Sequence, residues 1–173
     1  MKLLVFSDSL CRLEPMRSVL LAHLKDTDAL LHLGDGAAEV YALREEFPAL
    51  PIYAVRGNCD PYSCLARDVL PEQCLTFGTR TVFICHGDRF GVGGGLGALE
   101  KYARARGADI ALFGHTHKAH EEYRPAETDS EKPLWLLSPG SAALPRDGAA
   151  PSFGILDITP HGVLFSVGRR PLR

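Results

Sequence analysis

Short apolar runs alternate with helical patterns through the first third of the chain. Leu3–Phe6 is an unbroken apolar run closed by Ser7 and Asp8, the pattern of a strand buried on both faces. Glu14–Leu24 carries Met16, Val19, Leu20 and Leu24 near helical spacing, and Ala37–Phe47 does the same with Val40, Leu43 and Phe47. Between and after these helices, Ala29–Leu33 and Pro51–Val55 are again short apolar runs, each ended by a glycine. This β-α-β-α-β alternation predicts a parallel sheet.

The pattern then changes. Cys74–Phe77 and Arg80–Cys85 flank Gly78-Thr79 and predict a hairpin. A third helix is expected over Leu96–Arg106 and a buried strand over Ile110–Phe113. Beyond Ala119 only strands and turns are expected: Ala119–Tyr123, Leu134–Leu137, Ser152–Ile158 and Gly162–Val167, the last two joined by a turn at Thr159–Gly162. Arg124–Pro133 is polar and reads as a solvated loop. With 173 residues, no internal repeat and no long linker, the chain reads as one mixed α/β domain, residues 1–173, with two packed sheets.

Composition narrows the function. Apolar residues make up 46% and charged residues 23%, a globular balance. The net charge is −2 and there is no basic block, which argues against a stable nucleic-acid complex while leaving room for a small nucleotide. Five cysteines in no regular spacing read as reduced thiols, with Cys59 and Cys64 structural. Ser7 and Asp8 stop the first apolar run too early for a signal peptide, and no run reaches membrane-span length. A cytoplasmic protein is expected, with self-association into a homo-oligomer left open.

The candidate chemistry sits where the strands end. Asp8 follows the first, Asp35 the second, Asn58 and Asp60 the third, His86 the hairpin, and His115 with His117 the strand after it. Sites in open parallel sheets gather beyond the carboxyl ends of strands. Singly, each residue has a plainer reading. Asp8 and Asp35 could cap helices, Asn58 and Asp60 could form a turn, and His86 could be a partly buried histidine. Jointly they read as a metal site. In an extended chain His115 and His117 point to the same side, with Gly114 easing the backbone turn, and Gly34, Gly57 and Gly87 serving similarly. Carboxylate, amide and imidazole donors suit Mn²⁺, with Fe²⁺, Zn²⁺ or Ni²⁺ as alternatives. Six candidate ligands (Asp8, Asp35, Asn58, His86, His115 and His117) exceed the needs of one ion, so two are expected. Such a pair holds a hydroxide for in-line attack on phosphorus.

In this order, "SD", "LGD", "GNCD", "HGD", "GHTH" and "SPGSAALPR" resemble the calcineurin-like metallophosphoesterase superfamily, particularly its small single-domain bacterial and archaeal phosphodiesterases. The resemblance spans Met1 to about Asp157. It implies a four-layer α/β/β/α fold, Asp35 as bridging ligand, Asn58, His86 and His115 completing one site, and Asp8 and His117 contributing to the other. Asn58 and Asp60 are the candidate catalytic residues, with Asp60 more plausible as an orienting partner than as the acid. The implied substrate is a small phosphoester.

Three departures stand out. Leu10 occupies the histidine position of the family's first motif, which weakens the second site; Cys11 beside it would point away in an extended chain. Asp88 stands in "HGD" where relatives often carry histidine, and is read as an outer-shell residue. Ser138 stands where asparagine is common, in a loop expected to border the substrate. Leu10 also favours a rival reading, a non-catalytic interaction scaffold on the same fold like the retromer scaffold subunit. "HTHKAH" resembles the metallo-β-lactamase signature but has Ala119 at its aspartate position, and His120 reads as an exposed strand residue. Phe90–Gly97 reads as a flexible active-site loop, with a phosphate cradle as the weaker alternative. Arg146 could meet a phosphate or pair with Asp147. His32 and Trp135 read as packing residues.

Overall fold

The computed structural model describes residues 1–60 and 69–169; Cys64 lies outside them. Its strands are β1 (Lys2–Phe6), β2 (Ala29–His32), β3 (Ile52–Ala54), β4 (Glu72–Phe77), β5 (Arg80–Cys85), β6 (Ile110–Leu112), β7 (Ala119–Arg124), β8 (Leu134–Pro139), β9 (Ser152–Thr159) and β10 (Gly162–Arg169). Its helices are α1 (Leu13–His23), α2 (Ala37–Glu46) and α3 (Gly97–Ala105). All the expected elements are present. The largest boundary differences are two residues: β4 starts before Cys74 because Glu72 and Gln73 still pair with Cys85 and Ile84, and β8 and β10 run on to Pro139 and Arg169.

Two five-stranded sheets form, in the orders β10-β9-β1-β2-β3 and β4-β5-β6-β8-β7. The pairs β1–β2, β2–β3, β5–β6 and β6–β8 are parallel, and β1–β9, β9–β10, β4–β5 and β7–β8 are antiparallel. Both sheets are therefore mixed. Gly78, at φ +60°, lets β4 turn back into β5 within two residues.

The alternation of side chains along β1 explains the layering. Leu3 and Val5 face the second sheet, packing with Val82, Ile84, Ile110 and Leu112. Leu4 and Phe6 face the other way, against Met16 and Leu20 of α1 and Val40 and Leu43 of α2. On the far sheet, Phe83 and Ala111 turn outward onto Leu99 and Ala103 of α3. Three apolar layers thus separate helix, sheet, sheet and helix. Burial on both faces is why the central strands are continuous apolar runs. Trp135 packs partly buried against the central core, as expected. Among the described residues no helix is long and apolar enough to cross a membrane.

Because β1, β2 and β3 run parallel, as do β5 and β6, the loops after them emerge at the ends of their sheets. Within each sheet, neighbouring loops are bonded to one another: the Gly114 amide donates to the His86 carbonyl, and Asp8 N–H donates to the Gly34 carbonyl.

Candidate metal centre

The six non-glycine residues with positive φ among the described residues are Asp8, Leu10, Cys11, Asp35, His115 and His117. All lie in these loops. Left-handed backbone costs an L-residue roughly 1 kcal/mol, and such strain collects at functional sites. This corrects the extended-chain argument for two segments. His115 (φ +67°) and His117 (φ +57°) reach the site through a left-handed turn, with the Thr116 amide bonded to the Gly114 carbonyl at 2.7 Å. Leu10 lines the cleft and the exposed Cys11 does not, but the reason is the turn geometry and not strand alternation.

The carboxylates are held by N–H groups. Asp8 is fully buried; its Oδ2 accepts from Ser7 Oγ at 2.6 Å and from the His115 amide at 3.1 Å. Asp35 Oδ1 accepts from the Cys59 amide at 2.8 Å. Behind it, the Asp60 carboxylate accepts from the amides of Asp35, Gly36, Ala37 and Gly57 at 2.8–3.0 Å. Asp60 is thus saturated by four donors and sits at the N-terminus of α2, where a negative charge is favoured. It ties the loop after β3 to the loop after β2. Its place is that of an orienting group, and it does not border the cleft.

The imidazoles are held by carbonyls. His86 Nδ1 donates to the Leu33 carbonyl at 2.8 Å, and His117 Nδ1 to the Leu144 carbonyl at 2.6 Å. Each bond fixes the tautomer and leaves Nε2 free. His86 Nε2 then faces Asp35 Oδ2 at 3.4 Å and Asn58 Oδ1 at 3.1 Å. His117 Nε2 faces Asp8 Oδ1 at 3.2 Å. Neutral imidazoles bring a lone pair, not a proton, to those oxygens, so buried Asp8 Oδ1 has no hydrogen-bond donor unless His117 is protonated. Lone pairs aimed at lone pairs require a cation between them, either a proton or a metal ion. Asp8, Asp35 and His86 place donor atoms within 4.8 Å of one another. The donor set therefore fits a divalent metal.

The titration behaviour has the same cause. Burial opposes charge on His86, yet the Asp35 hydrogen bond and the Asp8 and Asp35 carboxylates raise its pKa to about 9. Asp35, against the effect of burial, falls to about 2 because of His86. His117 is raised, chiefly by its hydrogen bond to Asp8. His115 is lowered by burial and by the charge of His86, which favours the neutral ring, with one nitrogen offering a lone pair. Its ring lies edge-on to that of His86, centroids 5.1 Å apart. The Cys59 thiol is pushed up to about 11, by burial first and then by Asp35, which disfavours a thiolate beside the carboxylates.

Two of the glycines are required for space. A Cβ on Gly57 would sit 2.0 Å from Asp35 Oδ1, and one on Gly114 1.9 Å from Ser7 Oγ.

A cleft of about 230 Å³ opens over this centre. Asp35, Asn58, His115 and His117 border it, and so do Leu10, Leu144, Pro145 and Arg146. Ser138 does not border it; this serine is buried in β8, and it is residues 144–146, not the start of the "SPGS" stretch, that line the cleft. Asp88 begins a short 3-10 turn and lies outside the lining, as does Phe90–Gly97. His32 is buried and neutral, its pKa lowered by burial, bonded to Ser9 Oγ at 3.1 Å and accepting from the Gly34 amide at 3.3 Å. His120 is half-buried on β7 beside Phe113, not exposed.

The groups that motif reading missed are Ser7, Ser141 and the carbonyls of Leu33 and Leu144. Ser141 Oγ donates to the Asp8 carbonyl at 2.9 Å and accepts from the Ala143 and Leu144 amides. The small residue closing "SPGS" was its only signal; backbone carbonyls leave none.

Comparison with known proteins decides the family. The model of the calcineurin-like phosphoesterase superfamily domain matches residues 1–161. The chain belongs to that superfamily. It is 34% identical over 161 residues to the probable metallophosphoesterase YsnB of Bacillus subtilis, covering 91% of this chain and 85% of that one. With the phosphodiesterase YfcE of Escherichia coli it shares 30% identity over 112 residues, 61% of this chain and 52% of that one. The solved structure of YfcE superposes with a TM-score of 0.66 at 28% identity, over 91% of this chain and 88% of that one. Chaetomium thermophilum Vps29 shares the fold, with a TM-score of 0.70 at 20% identity over 99% of this chain and 98% of that one. The four-layer sandwich of two mixed sheets is thus the family's fold, and membership of a metallophosphoesterase family implies a divalent metal.

Proposed function

We propose that the protein is a metal-dependent phosphodiesterase acting on small phosphoesters. The observation that carries this reading is the pair of histidines, His86 and His117, whose Nδ1 protons are committed to carbonyls while Nε2 faces carboxylate oxygens. Such a cradle suits cations of the metal type. Asp35 would bridge two ions, with Asn58, His86 and His115 on one side and Asp8 and His117 on the other. Mn²⁺ suits the oxygen-rich donor set, with Fe²⁺, Zn²⁺ or Ni²⁺ as alternatives. When bound, the ions supply an activated water and neutralise charge at phosphorus. Asn58, exposed at the cleft, orients and polarises the phosphoryl oxygen. Asp60 acts through Asp35, holding its backbone in the left-handed turn that aims the carboxylate. The second ion is held more weakly, because Leu10 offers no donor where the cleft meets His117.

Leu10 also supports a second reading, an interaction scaffold in which the site is idle. Elemental analysis and hydrolysis of bis(p-nitrophenyl) phosphate with Mn²⁺ separate the two. The enzyme reading expects one to two bound ions per chain and turnover that falls by more than about 100-fold in Asp35→Asn. Bound metal with no turnover on a panel of cyclic nucleotides, dinucleotides and lipid-derived diesters would select the scaffold.

A further inference from the structure

The cleft lining combines two chemistries. Asp35, Asn58, His115 and His117 supply carboxylate, amide and imidazole. Leu10, Leu144 and Pro145 form an apolar set of the same lining, which also includes the guanidinium-bearing Arg146. Leu144 is 51% exposed, an uncovered leucine at the mouth of a polar site. Arg146 makes no ion pair among the described residues, because its neighbour Asp147 is engaged elsewhere, with Arg169 at 3.5 Å and the Ala149 amide at 3.1 Å. The segment is fixed to the metal centre at two points. His117 Nδ1 donates to the Leu144 carbonyl at 2.6 Å, and the Arg146 amide donates to the His117 carbonyl at 3.0 Å. Pro145 between them restricts the backbone further.

We propose that this wall is the substrate-recognition half of the cleft: Arg146 binds a non-bridging phosphoryl oxygen, and Leu10, Leu144 and Pro145 receive an apolar, flat substituent esterified to the same phosphorus. The preferred substrate class is then a phosphodiester bearing an aryl or comparably apolar group, in preference to one carrying only small polar alcohols. This rests on the phosphodiesterase reading for the identity of the ligand. A guanidinium presents paired donors that match phosphate geometry. An apolar face gains from leaving water only against another apolar face. Leu10 has a consequence here beyond the loss of a metal ligand, since it adds a second leucine to the apolar part of the lining.

The test compares bis(p-nitrophenyl) phosphate with methyl p-nitrophenyl phosphate, which share a leaving group and differ in the substituent that remains. With Mn²⁺-loaded protein the aryl diester is expected to show a KM lower by about tenfold. Leu144→Ser should erase that difference. Arg146→Ala should raise both KM values by about 10- to 100-fold at unchanged Mn²⁺ content, with Arg146→Lys recovering part of the loss. Calorimetric titration with phenylphosphonate and methylphosphonate reads the same contacts without chemistry. If neither ester is cleaved but phenylphosphonate binds tighter than methylphosphonate and depends on Arg146 and Leu144, the recognition wall stands and the phosphodiesterase reading falls. If both esters are cleaved and the variants change neither KM nor phosphonate affinity, the wall is refuted and the enzyme reading stands. Loss of Mn²⁺ in Arg146→Ala would make Arg146 a support for His117 and overturn the proposal.

Discussion

The two sheets contribute opposite chemistries to the same cleft. Loops after β1, β2 and β3 bring oxygen donors, namely Asp8, Asp35 and Asn58. Loops after β5 and β6 bring nitrogen donors, namely His86, His115 and His117. Their supports are opposite as well. The carboxylates are oriented by N–H groups, as with Asp60 bracing the Asp35 loop and the His115 amide on Asp8. Two of the imidazoles are oriented by carbonyls, Leu33 and Leu144. Some supports cross between the sheets: Leu33 belongs to the first and holds a histidine of the second, while the His115 amide of the second holds an aspartate of the first. The metal centre is therefore also a seam, and its geometry depends on the two sheets keeping their register.

The strongest way to break that arrangement is Asp60→Ala. It removes the acceptor of four buried amides on the oxygen-bearing side and leaves them unpaired. Urea unfolding should show a loss of about 3 kcal/mol or more, with metal content falling in parallel. Asp60→Asn keeps the shape but offers one acceptor oxygen, and should fall between Asp60→Ala and wild type.

Metal removal should expose the electrostatic side of the seam. In the metal-free protein His86 is raised above its ordinary 6.5 to about 9, so the stability it contributes is complete below pH 6.5 and lost as pH rises through 9. Asp35, lowered from 3.8 to about 2, contributes stability that is complete above 3.8 and lost as pH falls through 2. Chemical denaturation of metal-free protein should accordingly show a loss on the order of 2 kcal/mol between pH 6.5 and 9.5, and saturating Mn²⁺ should abolish it. Metal uptake at pH 7 should release about one proton, read from the buffer dependence of the calorimetric heat.

The smallest effect concerns the weak side of the ligand set. Leu10 stands at φ +47°, a conformation that costs leucine more than it costs histidine. Its turn is nevertheless held, by the Leu10 amide on the Asp35 carbonyl at 3.1 Å and the Arg12 amide on the Ser9 carbonyl at 2.9 Å. Leu10→His should therefore fold at least as well as the natural chain and tighten the weaker ion by roughly tenfold, measured by competition with a chromogenic chelator. No change would refute the account of Leu10 as a missing donor.

Strand ends were legible in the sequence because burial on both faces writes itself as continuous apolar runs, and the ligands follow those runs. Leu3–Phe6 and Ile110–Phe113 needed no further information. The paths from strand end to ligand were less legible. Periodicity describes extended chain, and His115 and His117 are not extended; nor are Asp8 and Asp35. Gly57 and Gly114 carried half of that message, since each marks a place where no side chain fits, though neither revealed which atom lies opposite. Supports made by main-chain carbonyls have no side-chain signature, so the hold of Leu33 on His86 and of Leu144 on His117 emerges only from the fold.

The stretch from Leu144 to Arg146 grips one histidine from both directions, through its ring and through its carbonyl. A tug on the arginine is thus transmitted to the cation-facing nitrogen. If Arg146 holds a phosphate and His117 an ion, as proposed, the two occupancies would be linked, and each would change the other by an identical factor. A substrate held there would then set how readily its own cofactor stays bound.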